Sequence, residues 1–216
     1  MDPTSLRLMQ GASNVAEITY VASAQTQTSS TGTTLVINKP AGTQQGDLMI
    51  SFVVAVNKSG TWTGGTGWTE VIDQGVDPSL RVAYLVAGAS EPSSYTFAFN
   101  ALTTFSGVIA TFRNAAYDTV GTISTTASGG LQTAPQITLS TSSSAILAFF
   151  ENTNLAGWTN PTPGLVSTAT DSDGNSPSWA LYRELNLSSG ATGTRSATCS
   201  STGSPRACIL VGIKPA

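Results

Sequence analysis

Two stretches decide the fold: "LMISFVV" at residues 48–54 and "AILAFF" at residues 145–150. Each is a short apolar run bounded by polar and turn-forming residues, and neither is long enough to be a core helix. They read as buried strands. Each follows another strand-like segment that ends a few residues upstream.

Working outward from the first, further strands are expected over residues 17–22, 33–38, 47–56, 67–73, 79–87, 94–100 and 105–113. Around the second lie 136–140, 144–151, 163–170, 178–186, 194–200 and 206–214. The segments between them, such as "NKPAGTQQGD" and "TDSDGNSPS", hold the Gly, Pro, Asn and Asp that end strands and supply turn geometry. After residue 14 no stretch carries a helical period.

The two series superpose. "LMISFV" falls on "AILAFF", Trp62 on Trp158, "RVAYLV" on "WALYRE", "YTFAF" on "RSATC" and "GVIATF" on "CILVGI". The offset drifts only between about 96 and 102 residues, which loop-length differences accommodate. Repeat-like halves at about 33–113 and 134–214 follow, as an internal duplication would leave them. Each half holds about six short strands, too one-sided to close a core alone, so packing two inner faces together is the expected solution. The fold class expected is all-β: a jelly-roll-like β-sandwich forming one domain over residues 15–216. Residues 117–134 read as a long crossover with one edge strand.

Composition narrows the function. Charged residues make up 10% of the chain and the net charge is -3, so no basic field attracts a phosphate backbone and nucleic acid is not an expected partner. The chain has no histidine, which removes the commonest general base and the commonest metal ligand. No enzyme activity and no cofactor are expected. No apolar run approaches the roughly 18 residues of a membrane span, so no membrane partner is expected.

Several residues carry alternative readings. Cys199 and Cys208, opposed across a hairpin turning at Gly203 and Ser204, would form a disulfide in an oxidising setting or act as small buried apolar residues in a reducing one. Asp171 and Asp173 in "DSDGN" have the spacing of a calcium loop but lack its remaining ligands, and the same residues suit a tight turn. Trp62 and Trp158 sit in Gly/Thr-rich segments where they can stack on sugar rings, whereas Trp68 and Trp179 occupy strand positions and are expected in the core.

The leader "MDPTSLRLMQGAS" differs from everything after it. Asp2 suits an N-cap, Pro3 the first helical position and Gly11 a stop, which predicts a short helical arm within residues 1–14. So few residues cannot hold a helix in water unaided. Docking on a neighbouring surface would supply the missing stability, with Pro3, Leu6, Leu8 and Met9 as anchors.

This leader resembles the short openings of bacteriophage tail and other virion accessory proteins. The stretches "PAGTQQGDLMISFVV", "GWTEVIDQG", "EPSSYTFAFN" and "GVIATFRNA" resemble a β-sandwich family common in phage and bacterial surface proteins, over about residues 34–116. The resemblance implies a non-enzymatic virion structural protein, made in the host cytoplasm and displayed on the particle as a capsid decoration, cement, head fibre or tail-associated fibre. Its expected partners are other virion proteins and further copies of itself. Two other function classes stand beside it: a carbohydrate-binding module recognising a host surface glycan, and a polysaccharide hydrolase working through carboxylates.

Overall fold

The computed structural model describes residues 16–28, 30–56, 59–126, 130–171, 177–202 and 205–216. The helical arm, with Pro3, Leu6, Leu8 and Met9, lies outside the described residues, as do Asp173 and the turn at Gly203 and Ser204. Among the described residues the regular structure is all strand. The first half contains β1 (Thr19–Gln27), β2 (Gly32–Asn38), β3 (Leu48–Ala55), β4 (Trp62–Gly64), β5 (Thr69–Gln74), β6 (Ser79–Val86), β7 (Ser94–Thr103) and β8 (Phe105–Arg113). The second contains β9 (Ala115–Val120), β10 (Ser124–Thr126), β11 (Leu131–Ala134), β12 (Thr138–Leu139), β13 (Ser144–Asn152), β14 (Trp158–Thr159), β15 (Val166–Thr170), β16 (Ser178–Leu187), β17 (Gly190–Ala191), β18 (Arg195–Cys199) and β19 (Arg206–Pro215).

All ladders are antiparallel, and the sheets pack as a β-sandwich. One large sheet has the order β1-β8-β3-β6-β5 and the other β10-β19-β13-β16-β15, with β9 also paired to β19. Smaller sheets β2-β7-β4 and β11-β18-β14 accompany them, together with the pair β12-β17. In β3 the side chains of Leu48, Ile50, Phe52 and Val54 enter a central cluster shared with Ala145, Leu147 and Phe149 of β13. Met49, Val53 and Ala55 point the other way, into a cluster with Leu35, Trp62 and Phe97 of the small sheet. Ile146, Ala148 and Phe150 of β13 likewise pack with Ala134 and Ala197. The molecule is thus four layers deep, with the two large sheets in the middle. The single shared core expected from the sequence is instead three: one inside each half and one between them.

That arrangement explains why β3 and β13 are apolar without alternation, since both faces of each strand are covered. At the centre the Phe52 and Phe149 rings stack with centroids 4.7 Å apart and planes at 10°. They occupy corresponding places: Phe52 pairs with Val82 and Val108, and Phe149 with Leu181 and Ile209. The register therefore sets Val82 against Leu181, one residue away from the superposition of "RVAYLV" on "WALYRE". In a strand such a slip exchanges the two faces.

Close backbone approach in the first half depends on Gly107. A Cβ there would stand 2.8 Å from the Phe52 carbonyl oxygen, 2.9 Å from Val53 Cγ1 and 3.0 Å from Ile37 Cδ1. Gly107→Ala is expected to destabilise the fold by about 1–3 kcal/mol, because a carbonyl in a ladder cannot move aside. Urea unfolding at neutral pH measures this; an unchanged midpoint would contradict the packing described.

Candidate functional site

The chain enters the body at one rim of the large sheets. Ile18 is buried in the central cluster, and the Glu17 carbonyl accepts a hydrogen bond of 3.1 Å from Asn114 Nδ2. Asn114 sits at the tight β8–β9 junction with φ 56°, a left-handed conformation that asparagine tolerates better than most residues. Its carbonyl accepts the Ala216 N–H at 3.1 Å, so three separated parts of the chain meet here.

Beside this junction, the loop before β3 is held by one ion pair. Arg113 donates from Nε to Asp47 Oδ1 at 3.0 Å and from Nη2 to Asp47 Oδ2 at 2.9 Å, the forked geometry in which guanidinium and carboxylate bind best. Asp47 is buried and also accepts the Gln44 N–H at 2.8 Å, while Arg113 Nη2 reaches the Gly42 carbonyl at 3.2 Å. Gln44, Gln45, Gly46, Asp47, Arg113, Asn114 and Ala216 line an open polar cleft of about 300 Å3. The floor of the cleft is formed by this ion pair, Arg113 is its one half-exposed cation, and Asn114 joins it to the root of the leader.

No protein-family model, curated protein or solved structure matches the chain. Its function is therefore argued from its own geometry.

The residues singled out in the sequence do not gather at this cleft. Trp62 is in the core, 2% exposed, with its ring 5.0 Å from Phe99 and 5.3 Å from Phe105. The Gly/Thr-rich segment that suggested an exposed turn is the short strand β4, which pairs Trp62 with Phe99. Trp158 is half-buried and lies 6.0 Å from Phe150. Trp68 and Trp179 are buried, as their strand positions suggested.

Cys199 and Cys208 are both free and buried. They lie on β18 and β19, which belong to different sheets, so the hairpin opposition that a disulfide requires does not arise. Asn152 Nδ2 donates to Cys199 Sγ at 3.0 Å, and burial pushes the Cys208 thiol up to about 12. Asp171 is buried and accepts the Ser106 hydroxyl at 2.6 Å; Ser106 Oγ in turn accepts Trp179 Nε1–H at 2.7 Å. That chain of bonds ties β8 to β16 across the central layer. Among the described residues no cluster of His, Cys, Asp or Glu could hold a metal ion.

Two buried charged residues were not anticipated. Glu151 and Arg206 are both fully buried. Among the described residues the carboxyl of Glu151 meets only the Ala207 N–H, in poor hydrogen-bond geometry, and Nε and Nη1 of Arg206 have no hydrogen-bond partner. The sequence did hold a signal for Glu151, though none for Arg206: continuing the superposition of "LMISFV" on "AILAFF" by two residues sets Val54 and Ala55 against Glu151 and Asn152. Polar residues there interrupt a pattern that is apolar in the first half.

Proposed function

We propose that the chain is a non-enzymatic structural protein of a bacteriophage particle, a jelly-roll-like body displayed on the virion surface and attached by a helical arm within residues 1–14. The observation that supports this reading best is the fixed root of the leader. Ile18 is locked in the central core and Glu17 is tied to Asn114, so a peptide starting from this point has a defined origin on the rim. An anchored stem shortens the search of a tethered peptide for its partner and raises its effective concentration there. Leu6, Leu8 and Met9 supply the apolar contacts, and Pro3 limits the conformations the arm must give up on docking. The partners are other virion proteins, and several copies of the chain around a symmetry axis turn a weak contact into firm attachment. The glycan-binding alternative needs Trp62 and Trp158 exposed to stack on sugar rings, whereas Trp62 is in the core and Trp158 is half-buried.

The experiment is to grow particles from a genome encoding residues 15–216 of this chain in place of the whole. The truncated protein is expected to fold, with an unfolding midpoint close to that of the full chain, and to be missing from purified particles. Incorporation at the normal copy number would overturn the proposal.

A further inference from the structure

The two halves differ most at one end of their own cores. In the first half Trp62, Phe99 and Phe105 form an aromatic triad with centroids 5.0, 5.3 and 5.9 Å apart, flanked by Leu35 and Ala55. Ladder register identifies the corresponding residues of the second half. Trp62 pairs with Phe99 as Trp158 pairs with Cys199; Ala55 pairs with Phe105 as Asn152 pairs with Arg206. Leu35 opposes Phe97 as Gln132 opposes Ala197. An aromatic cluster has become Trp158, Cys199 and Arg206, flanked by Gln132 and Asn152.

We propose that this end of the second half is a binding site for a small monovalent anion of chloride size, held by Arg206. The guanidinium is fully buried and makes no ion pair among the described residues. Nη2 donates to the Ser201 carbonyl, while Nε and Nη1 find no acceptor among the described residues. A buried cation left uncompensated is among the costliest features a core can hold, and a counter-charge is the direct remedy.

Among the described residues no carboxylate stands beside the guanidinium. Glu151 precedes Asn152 but, by strand alternation, faces the central layer on the other side of β13. Burial also holds its carboxyl well above the usual range, favouring the neutral form. Asn152 is already committed, donating to Cys199 and accepting from the Asn154 N–H at 2.7 Å. Among the described residues Trp158 Nε1 is a further donor without a partner and Gln132 Oε1 an acceptor without one, so three of the four unpaired groups here are donors, as an anion site requires. Cys199 in place of Phe99 removes most of one aromatic ring, and Asn152 in place of Ala55 refills part of it, a difference that suits a single atom rather than a carboxylate or phosphate.

The test uses the full chain titrated with sodium chloride against sodium gluconate at constant ionic strength. Saturable broadening of the chloride-35 resonance is expected, together with a rise in unfolding temperature of about 4 °C at ten times the dissociation constant. Arg206→Phe, which installs the residue of the first half, should abolish both effects. Cys199→Phe, which fills the space and leaves the cation in place, should weaken both and guards against a failure of Arg206→Phe to fold. Absence of saturable broadening with the unaltered chain, or broadening that survives in a folded Arg206→Phe, would overturn the assignment.

Discussion

Phe149→Ala is expected to cost about 3–5 kcal/mol of stability, the range for a large aromatic removed from a packed interior. Phe149 is fully buried, stacks on Phe52, and lies with its centroid 5.8 Å from Trp179. Phe52→Ala should have a similar effect, because the two rings hold corresponding positions on facing sheets. The double variant should lose less than the sum of the singles by about 0.5–1.5 kcal/mol, the value of an aromatic pair beyond its burial. Urea unfolding of the four proteins measures the coupling; strict additivity would show that the stacking contributes nothing of its own.

The second large effect concerns pH. Burial pushes the Glu151 carboxyl well above its usual value of 4.5; the Ala207 N–H offsets part of that push, and Asp77 adds a smaller one in the same direction. Cys208, on β19 opposite β13, is in turn pushed up by burial, with a small contribution from Glu151. The folded protein therefore keeps the Glu151 proton over a range in which the unfolded chain has released it. This group's contribution is fully present below the unfolded value and is lost as pH rises toward the folded value, at about 1.4 kcal/mol per pH unit. Glu151→Gln, which keeps the shape without the charge, is expected to match the parent near pH 4 and to exceed it progressively as pH rises. Comparing the two proteins at each pH cancels every other titrating group. Parallel stability curves from pH 4 to pH 8 would show that Glu151 finds a partner in solution.

Much of the strand pattern was legible because the long strands are strongly apolar and their ends are marked by turn residues. β8 starts and stops where expected, and β3, β6, β13, β16 and β19 do so within a residue or two. The short elements were not legible. β4 and β14 span three and two residues, too few for any alternation to register, so Trp62 looked like part of a turn. Residues 117–134 were read as a crossover with one edge strand, yet they hold the end of β9 and all of β10 and β11. Their Ser, Thr and Gly content reflects strands that lie at sheet edges or in an outer layer.

The layering was missed for a different reason. A sandwich of two sheets predicts alternation along each strand, and the apolar runs of residues 48–54, interrupted only by Ser51, and 145–150 contradict it. They are the mark of strands covered on both sides. The burial of Arg206 stayed hidden because only the fold sets it opposite Asn152, which in turn bonds Cys199. The polar cleft at Gln44, Asp47 and Arg113 was likewise invisible, since its walls come from three distant places in the sequence, at residues 44–47, 113–114 and 216.

Because β3 and β13 have no face toward water, neither strand offers a site where a polar replacement would pass without cost. Evolutionary drift in this molecule is channelled to the outward sides of the small sheets, where Val36 and Leu131 already stand exposed. Lineages of this chain should therefore diverge in appearance while keeping one interior, and the outward sides are where an engineer would graft new contacts.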